Sequence, residues 1–465
     1  MAHPTPTQTS STPLEGNLFR PADRLSLVQE YYFSRKLKEV AQLNAEGKDI
    51  ISLAIGSPDM PPSERTIEVL CTEARKPNAH GYQPTIGTPE LRQAMATFYQ
   101  RWYGVELDSA SEVQPLIGSK EGILHVTLAF VNPGDTVLVP NPGYPTYTSL
   151  SKLLGANVVS YDLTEEGGWQ PDFDQLESMD LSRVKLMWTN YPHMPTGARA
   201  RRETYERLVA FGRKHGIVIV NDNPYSFIDP LPAPKDPLAA PKDPLPAPPQ
   251  RGRAECSERA SALQESMVTS LVTTSPLEGG RERGLLSILQ IPGAKDCCIE
   301  FNSMSKSHNM PGWRVAMLVS NSQFVQWILK VKTNVENGTF RAIQLAAADA
   351  LTNTSDEWHY EANVRTYARR RVIAEEIMTA LGCTFDPDQT GMFLWGRIPE
   401  SYAHVEELTE HVLHKARVFI TPGFIFGSNG ERYIRISLCA KEEKMREALE
   451  RIRKTPSSLP LRGGE

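Results

Sequence analysis

Six cysteines in 465 residues, none of them in a C-x-x-C pair, leave no recognisable zinc or disulfide framework. Cys297 and Cys298 are adjacent, a spacing that resists an unstrained bridge. Cys71, Cys256, Cys297, Cys298, Cys383 and Cys439 are therefore expected as free thiols, mostly buried, with no metal site. Excess charge of one sign is also scarce. Fifty Lys and Arg stand against 55 Asp and Glu, a net charge of -5, without the clustered cations that nucleic acid or an anionic membrane requires. No stretch reaches the roughly 18 uninterrupted apolar residues of a membrane span, and the first residues lack a basic segment followed by an apolar one. Neither nucleic acid nor membrane is an expected partner, and a cytoplasmic location is expected.

Proline is what the chain has in excess. There are 36, above the roughly 5% of ordinary usage. Nine of the twenty residues from Pro230 to Pro249 are proline, with Ala-Pro-Lys-Asp-Pro-Leu at 233–238 and again at 240–245. Each proline fixes φ and removes a donor, so no helix or central strand fits there. Residues 250–284 stay polar without a sustained period. Pro-Leu-Glu-Gly at 13–16 and 276–279, and Pro-Leu-Arg-Gly-Gly at 460–464, link this segment to both ends of the chain. The composition reads as a solvated insert, 229–284, and two loose tails, 1–23 and 454–465. A proline-rich partner ligand is the lesser reading.

Elsewhere short apolar runs alternate with helical stretches, the pattern of an α/β fold with a largely parallel sheet. Thr136–Val139, Val184–Trp188, Ile217–Val220 and Cys298–Phe301 read as strands. Glu203–His215 reads as a crossover helix ended by Gly216. After about Lys330 the chain turns helix-rich, then gives a strand at Tyr433–Leu438 and a charged amphipathic helix from Lys441, a second and smaller α+β unit. Ligands of open α/β sheets bind at the carboxyl ends of strands, so the residues following each strand are where chemistry is sought.

Four such places carry it. Ser303-Met-Ser-Lys306 with Arg314 offers a lysine able to form a Schiff base, beside phosphate-binding groups. Gly118-Ser119-Lys120 opens a helix whose free N–H groups favour a phosphate. Asn141-Pro-Gly-Tyr144 can lay an aromatic face on a flat cofactor. Asp222-Asn-Pro-Tyr225 closes a strand with a carboxylate suited to a pyridine nitrogen and a phenol near it.

In order and spacing these elements resemble the class I/II aminotransferases of the pyridoxal-phosphate-dependent fold type I superfamily, over about residues 24–228 and 285–453. Gly56-Ser-Pro-Asp59, Gly81-Tyr82-Gln-Pro-Thr-Ile-Gly87, Pro195-Thr-Gly197 and Tyr433-Ile-Arg435-Ile-Ser add to the likeness. The resemblance implies a large cofactor domain with a mainly parallel seven-stranded sheet between helices, residues 66–330 interrupted by 229–284. It implies a smaller α+β domain built from 24–65, which includes an N-terminal arm, and from 331–453. The cofactor is pyridoxal 5'-phosphate. Lys306 is expected as Schiff-base lysine and proton shuttle, Asp222 as partner of the ring nitrogen, Tyr225 as donor to the ring oxygen, and Tyr144 as the stacking residue. Gly118, Ser119, Lys120, Ser303 and Arg314 are expected around the phosphate, with Tyr82 reaching the phosphate of a neighbouring subunit in a homodimer. Arg435 and the Gly56 backbone are expected at the substrate carboxylate. In an extended strand Arg435 faces opposite Ile434, Ile436 and Leu438, and a planar fork suits a carboxylate.

One departure stands out. Where the family has an asparagine donating to the ring oxygen, this chain has Met194, leaving Tyr225 alone or with Asn190 approaching from the same turn. The implied reaction (EC 2.6.1.-) moves an amino group between an L-amino acid and a 2-oxo acid, 2-oxoglutarate being the expected acceptor, by a ping-pong route. A β-eliminating C–S lyase on the same scaffold and a non-catalytic binding or regulatory protein are the alternatives. Asp222 and Lys306 lie 84 residues apart, well beyond the family's usual separation, and the insert accounts for the excess. Loop closure grows only logarithmically with length. Deleting 230–284 is thus expected to leave folding and cofactor binding intact, checked by circular dichroism and cofactor absorbance.

Overall fold

A computed structural model describes residues 19–28, 30, 32–229 and 285–455. Most of the expected tails, and all of the expected insert except Asp229, lie outside the described residues. Among the described residues seven α-helices precede the insert: α1 (Tyr32–Ala45), α2 (Glu64–Ala74), α3 (Pro89–Tyr103), α4 (Ser119–Phe130), α5 (Pro145–Leu153), α6 (Phe173–Ser178) and α7 (Arg202–His215). Gly216, at φ 65°, ends α7 in the left-handed conformation, as glycine does without steric cost.

The main sheet has seven strands, β2 (Val113–Leu116), β3 (Thr136–Asn141), β4 (Asn157–Asp162), β5 (Val184–Thr189), β6 (Val218–Asp222), β7 (Cys298–Ser303) and β8 (Ala316–Val319), in the order β2-β8-β7-β6-β5-β3-β4. Only β8 runs antiparallel to its neighbours. Both faces are apolar, as a largely parallel sheet covered by helices demands. Val137, Val139, Trp188, Val220 and Phe301 pack on one side, and Leu138, Met187, Ile219 and Cys298 on the other. The four of these strands read from the sequence, β3, β5, β6 and β7, are present, each closed one or two residues early because its last residues are polar, and β6 opened one residue early; β2, β4 and β8 were not read.

A separate three-stranded antiparallel sheet joins β9 (Phe393–Arg397), β11 (Thr421–Pro422) and β12 (Tyr433–Ser437), with β12 in the middle. Early chain meets late chain where β1 (Ile51–Ser52) pairs in parallel with β10 (Val418–Phe419). Among the described residues no helix is long and apolar enough to cross a membrane. Cys71 is an exposed free thiol, and Cys297, Cys298, Cys383 and Cys439 are buried ones.

One buried charge in the sheet escaped the sequence. Glu300 on β7 has no solvent exposure. It accepts from Ser287 Oγ at 2.7 Å, Ile288 N at 3.1 Å, Asn221 Nδ2 at 3.0 Å and Tyr99 OH at 3.1 Å. Burial pushes its carboxyl up, and these donors pull it back. Removing the carboxylate leaves several buried donors unmade, each worth roughly 1–3 kcal/mol. Glu300→Ala is therefore expected to lose at least about 3 kcal/mol of stability in denaturant unfolding, and Glu300→Gln distinctly less.

Candidate active site

The carboxyl ends of β3, β5, β6 and β7 lie side by side, and the residues at and after them form one wall of a cavity of about 390 Å³. The opposite wall comes from the turn after β1, from β9 and β12, and from α1. Ser303 Oγ accepts from Ser305 N at 3.2 Å and so caps the single helical turn Met304–Ser307 that presents Lys306. Lys306 Nζ donates to the Gly56 carbonyl oxygen. Burial pushes its ammonium below the usual lysine range, and the Arg435 and Arg314 guanidinium groups add to that. A lysine held this way gives up its proton more easily than an exposed one, and the free amine is the form that attacks an aldehyde and accepts a proton.

Asp222 ends β6, buried, with Tyr147 OH donating to Oδ2 at 2.9 Å and Oδ1 without a hydrogen-bond partner. Burial pushes the acid up to about 6, and the nearby Glu300 charge adds to it. A buried carboxylate oxygen lacking a donor is costly on its own, so this atom fits a protonated ring nitrogen. Tyr147 is itself clamped, its ring stacked on Trp188 at 4.8 Å with 4° between planes, and Tyr144 meets it edge-on at 5.5 Å. The phosphate end fits as well. Ser119 and Lys120 line the cavity at the start of α4, where N–H groups and the helix dipole favour an anion. Gly118, at φ 79°, leaves room for the Arg314 guanidinium, which any side chain at 118 would strike.

Arg435 is buried on β12. Its Nη2 donates to the Ala54 carbonyl at 2.8 Å, its Nη1 lies 3.3 Å from Met194 Sδ, and its Cζ sits 3.9 Å from the Phe393 ring centre and 4.7 Å from that of Phe426. A guanidinium stacked on aromatic faces is held in one orientation.

Every residue expected in the site lines this cavity except two. Gly118 packs behind Arg314, and Tyr82 is 92% exposed and does not reach the cavity of its own chain. Asn190 lines the cavity; its Nδ2 donates to the Asp222 backbone carbonyl and its Oδ1 accepts from Met194 N at 2.9 Å, which leaves one N–H of the amide. Tyr147, Phe33, Leu37, Phe393 and Phe426 line the cavity without having been expected there. For Tyr147, its place three residues after Tyr144 on a helix start was an available signal.

The sequence profile described as Aminotransferase class I and II matches residues 48–228 and 282–452. The chain belongs to that family. It is a pyridoxal-phosphate-dependent aminotransferase, and this reading is favoured over the eliminating lyase. The LL-diaminopimelate aminotransferase of Oleidesulfovibrio alaskensis is 37% identical over 93% of this chain and 98% of its own length, and that of Moorella thermoacetica 37% over 93% and 97%. Among solved structures, substrate-bound BacF from Bacillus subtilis superposes with a TM-score of 0.77 at 31% identity, covering 95% of this chain and all of its own. A probable N-succinyldiaminopimelate aminotransferase from Thermus thermophilus gives a TM-score of 0.74 at 26% identity over 90% and 99%.

Proposed function

We propose that this aminotransferase moves the amino group of an L-amino acid to 2-oxoglutarate by a ping-pong route, with Lys306, Asp222 and Tyr225 as catalytic residues. The observation that carries this is the convergence of Lys306, Asp222 and Arg435 on one cavity from three separate elements. Bound pyridoxal phosphate supplies an electron sink conjugated to the substrate nitrogen. Lys306 would hold the cofactor covalently between turnovers and, lying beside the substrate, would take and give back the proton of the donor's Cα. Asp222 would keep the ring nitrogen protonated, Tyr225 would donate to the ring oxygen, and Tyr144 would cover the ring face. Ser119, Lys120, Ser303 and Arg314, with the backbone at Gly118, hold the phosphate. Arg435 takes the substrate carboxylate beside the Gly56 backbone.

Residues 24–65 and 331–453 form the small domain in this reading, and 66–330 the large one. Tyr82, too exposed to serve its own site, reaches the phosphate of a second subunit in a cytoplasmic homodimer. An active monomer in sedimentation would contradict the dimer. Single-turnover spectroscopy tests the chemistry. The visible band of the lysine-bound cofactor should disappear with a donor amino acid and return with 2-oxoglutarate. A band unmoved by any of a panel headed by LL-diaminopimelate, the donor named for the relatives, would defeat the reading.

Met194 offers a further check. It cannot donate to the ring oxygen, and Asn190 already gives one N–H to the Asp222 carbonyl. One added hydrogen bond to an ionised oxygen is worth roughly 1.4 kcal/mol, or about one pKa unit. Met194→Asn is therefore expected to lower the pH midpoint of the cofactor's visible transition by about one unit. An equal or higher midpoint in the variant, measured by spectral titration, would refute this.

A further inference from the structure

We propose that Asn363, which lies outside the cavity lining, is a positioning residue that sets the helical turn carrying Lys306. This rests on the aminotransferase reading above and extends its machinery to the helical run 356–380. Met304–Ser307 is a single turn, and so short an element leaves carbonyl oxygens to find partners elsewhere. Ser307 Oγ donates to the Ser303 carbonyl at 3.2 Å, and the Met304 carbonyl accepts from His308 N at 3.2 Å and Met310 N at 3.3 Å. The Lys306 carbonyl has a long bond, 3.4 Å, from Asn309 N. The Ser307 carbonyl is met from 56 residues away, by Asn363 Nδ2 at 2.8 Å, the shortest bond of this set. Both residues are buried.

The amide is itself held from its own helix, its Nδ2 lying 3.2 Å from His359 Nδ1 one turn back. His359 also meets the ring of His308 edge-on at 4.8 Å, so the two segments touch at two points. Asn363 Oδ1 has no hydrogen-bond partner. A buried amide oxygen left unmade is costly, and an apolar side chain would carry no such cost. What the asparagine offers at this place is its N–H groups.

An irregular piece of helix brings Asn363 to the turn. The run is α-helical at Asp356–Tyr360 and Thr366–Ala380 but forms a π turn at Glu361–Arg365. No proline or glycine lies in 356–380 to interrupt it. π turns inside α-helices are rare and concentrate at functional sites. A second one, Val412–Ala416, differs in closing its helix at a left-handed Arg417, an ordinary place for such a turn. The turn that Asn363 reaches carries Ser303, Ser305 and Lys306, all on the cavity lining. A shift at the Ser307 carbonyl would move the amine and the phosphate end together, and about 1 Å of misplacement can cost about a hundredfold in rate.

The test uses Asn363→Leu, which keeps the volume, and Asn363→Asp, which keeps the shape; neither has the Nδ2 donors. In the cofactor-free protein, deuterium uptake in the peptide 303–310 should quicken by about tenfold, the equivalent of one lost hydrogen bond, with the β5 peptide 184–189 unchanged. In the holoenzyme, kcat per bound cofactor should fall about ten- to a hundredfold with the fastest donor of the panel, while the donor KM stays nearly constant because Arg435 is untouched. Should Asn363→Leu not fold, Asn363→Asp carries both readouts. Uptake and kcat unchanged in the folded variants would overturn the inference. So would uptake rising equally in 184–189, or a kcat loss that vanishes per bound cofactor, since Asn363 would then serve the fold alone. A wild-type band that no donor moves would defeat the aminotransferase reading, and the uptake comparison would still decide whether Asn363 holds the turn.

Discussion

Lys306→Ala should lower amino transfer by on the order of ten-thousandfold, the upper range for loss of a positioned proton-transfer group, and should abolish the covalent link to the cofactor at the same time. The geometry makes this residue hard to replace. Lys306 leaves the single turn after β7, reaches across the cavity to the Gly56 carbonyl, and has its ammonium pushed below the usual lysine range by burial and two guanidinium groups. Among the residues lining the cavity, Lys120 is the other lysine, and it lies exposed at the phosphate end. Three measurements separate the roles. The visible spectrum reports the covalent link, single-turnover rates report the proton transfer, and added methylamine should restore part of the rate by supplying a diffusible base. Lys306→Arg should fail like alanine, because an arginine stays protonated at any working pH. Residual activity within tenfold of the wild type would remove Lys306 from the mechanism.

The second large effect concerns Asp222 and has opposite signs for activity and stability. Asp222→Asn should cost on the order of a hundred- to thousandfold in rate, as removal of a preorganised electrostatic partner does. In the cofactor-free protein the same change should stabilise. Burial raises this carboxyl from its ordinary 3.8 to about 6. The unfolded chain therefore loses its proton first as pH rises, and between about 4 and 6 the folded chain holds more protons. Stability contributed by this site is present at low pH, falls through that window, and is missing above about 6. A two-unit difference corresponds to on the order of 2–3 kcal/mol. At pH 7.5 the cofactor-free Asp222→Asn protein should unfold at a higher midpoint than the wild type by that amount, and the two should converge near pH 4. A variant less stable at pH 7.5 would show that Oδ1 is satisfied by something other than the cofactor.

The polar residues that meet in the cavity were legible because their types are rare at strand ends and their neighbours break the apolar pattern. A lysine between serines after Cys298–Phe301, an aspartate ending an apolar run and an arginine inside one each conflict with burial unless they have a partner. Phe33, Leu37, Phe393 and Phe426 gave no such signal, since an aromatic or leucine on an apolar stripe looks the same whether it faces a core or a cleft. Phe33 packs with Val40, Leu413 and Phe419, and Phe393 lies opposite Ser437 of β12, long-range contacts that no local pattern encodes. Glu300 was missed for a related reason. Its four donors come from three other places in the chain, so the charge looked like a misfit in a strand until the fold brought them together.

Glu300 also fixes the point at which the chain re-enters the fold. Two of its four bonds go to Ser287 and Ile288, just after residue 284, and Asn223 Nδ2 holds the Leu286 carbonyl at 3.3 Å. On the outgoing side Asp229 is gripped by Arg199 at 2.8 Å and Thr390 at 3.0 Å. Asp222 and Lys306 are thus kept in register by fastenings on either side of the junction, whatever the length of sequence between them. For protein engineering this makes 229 and 285 the expected graft points at which a fluorescent reporter or an affinity module would replace the segment between them.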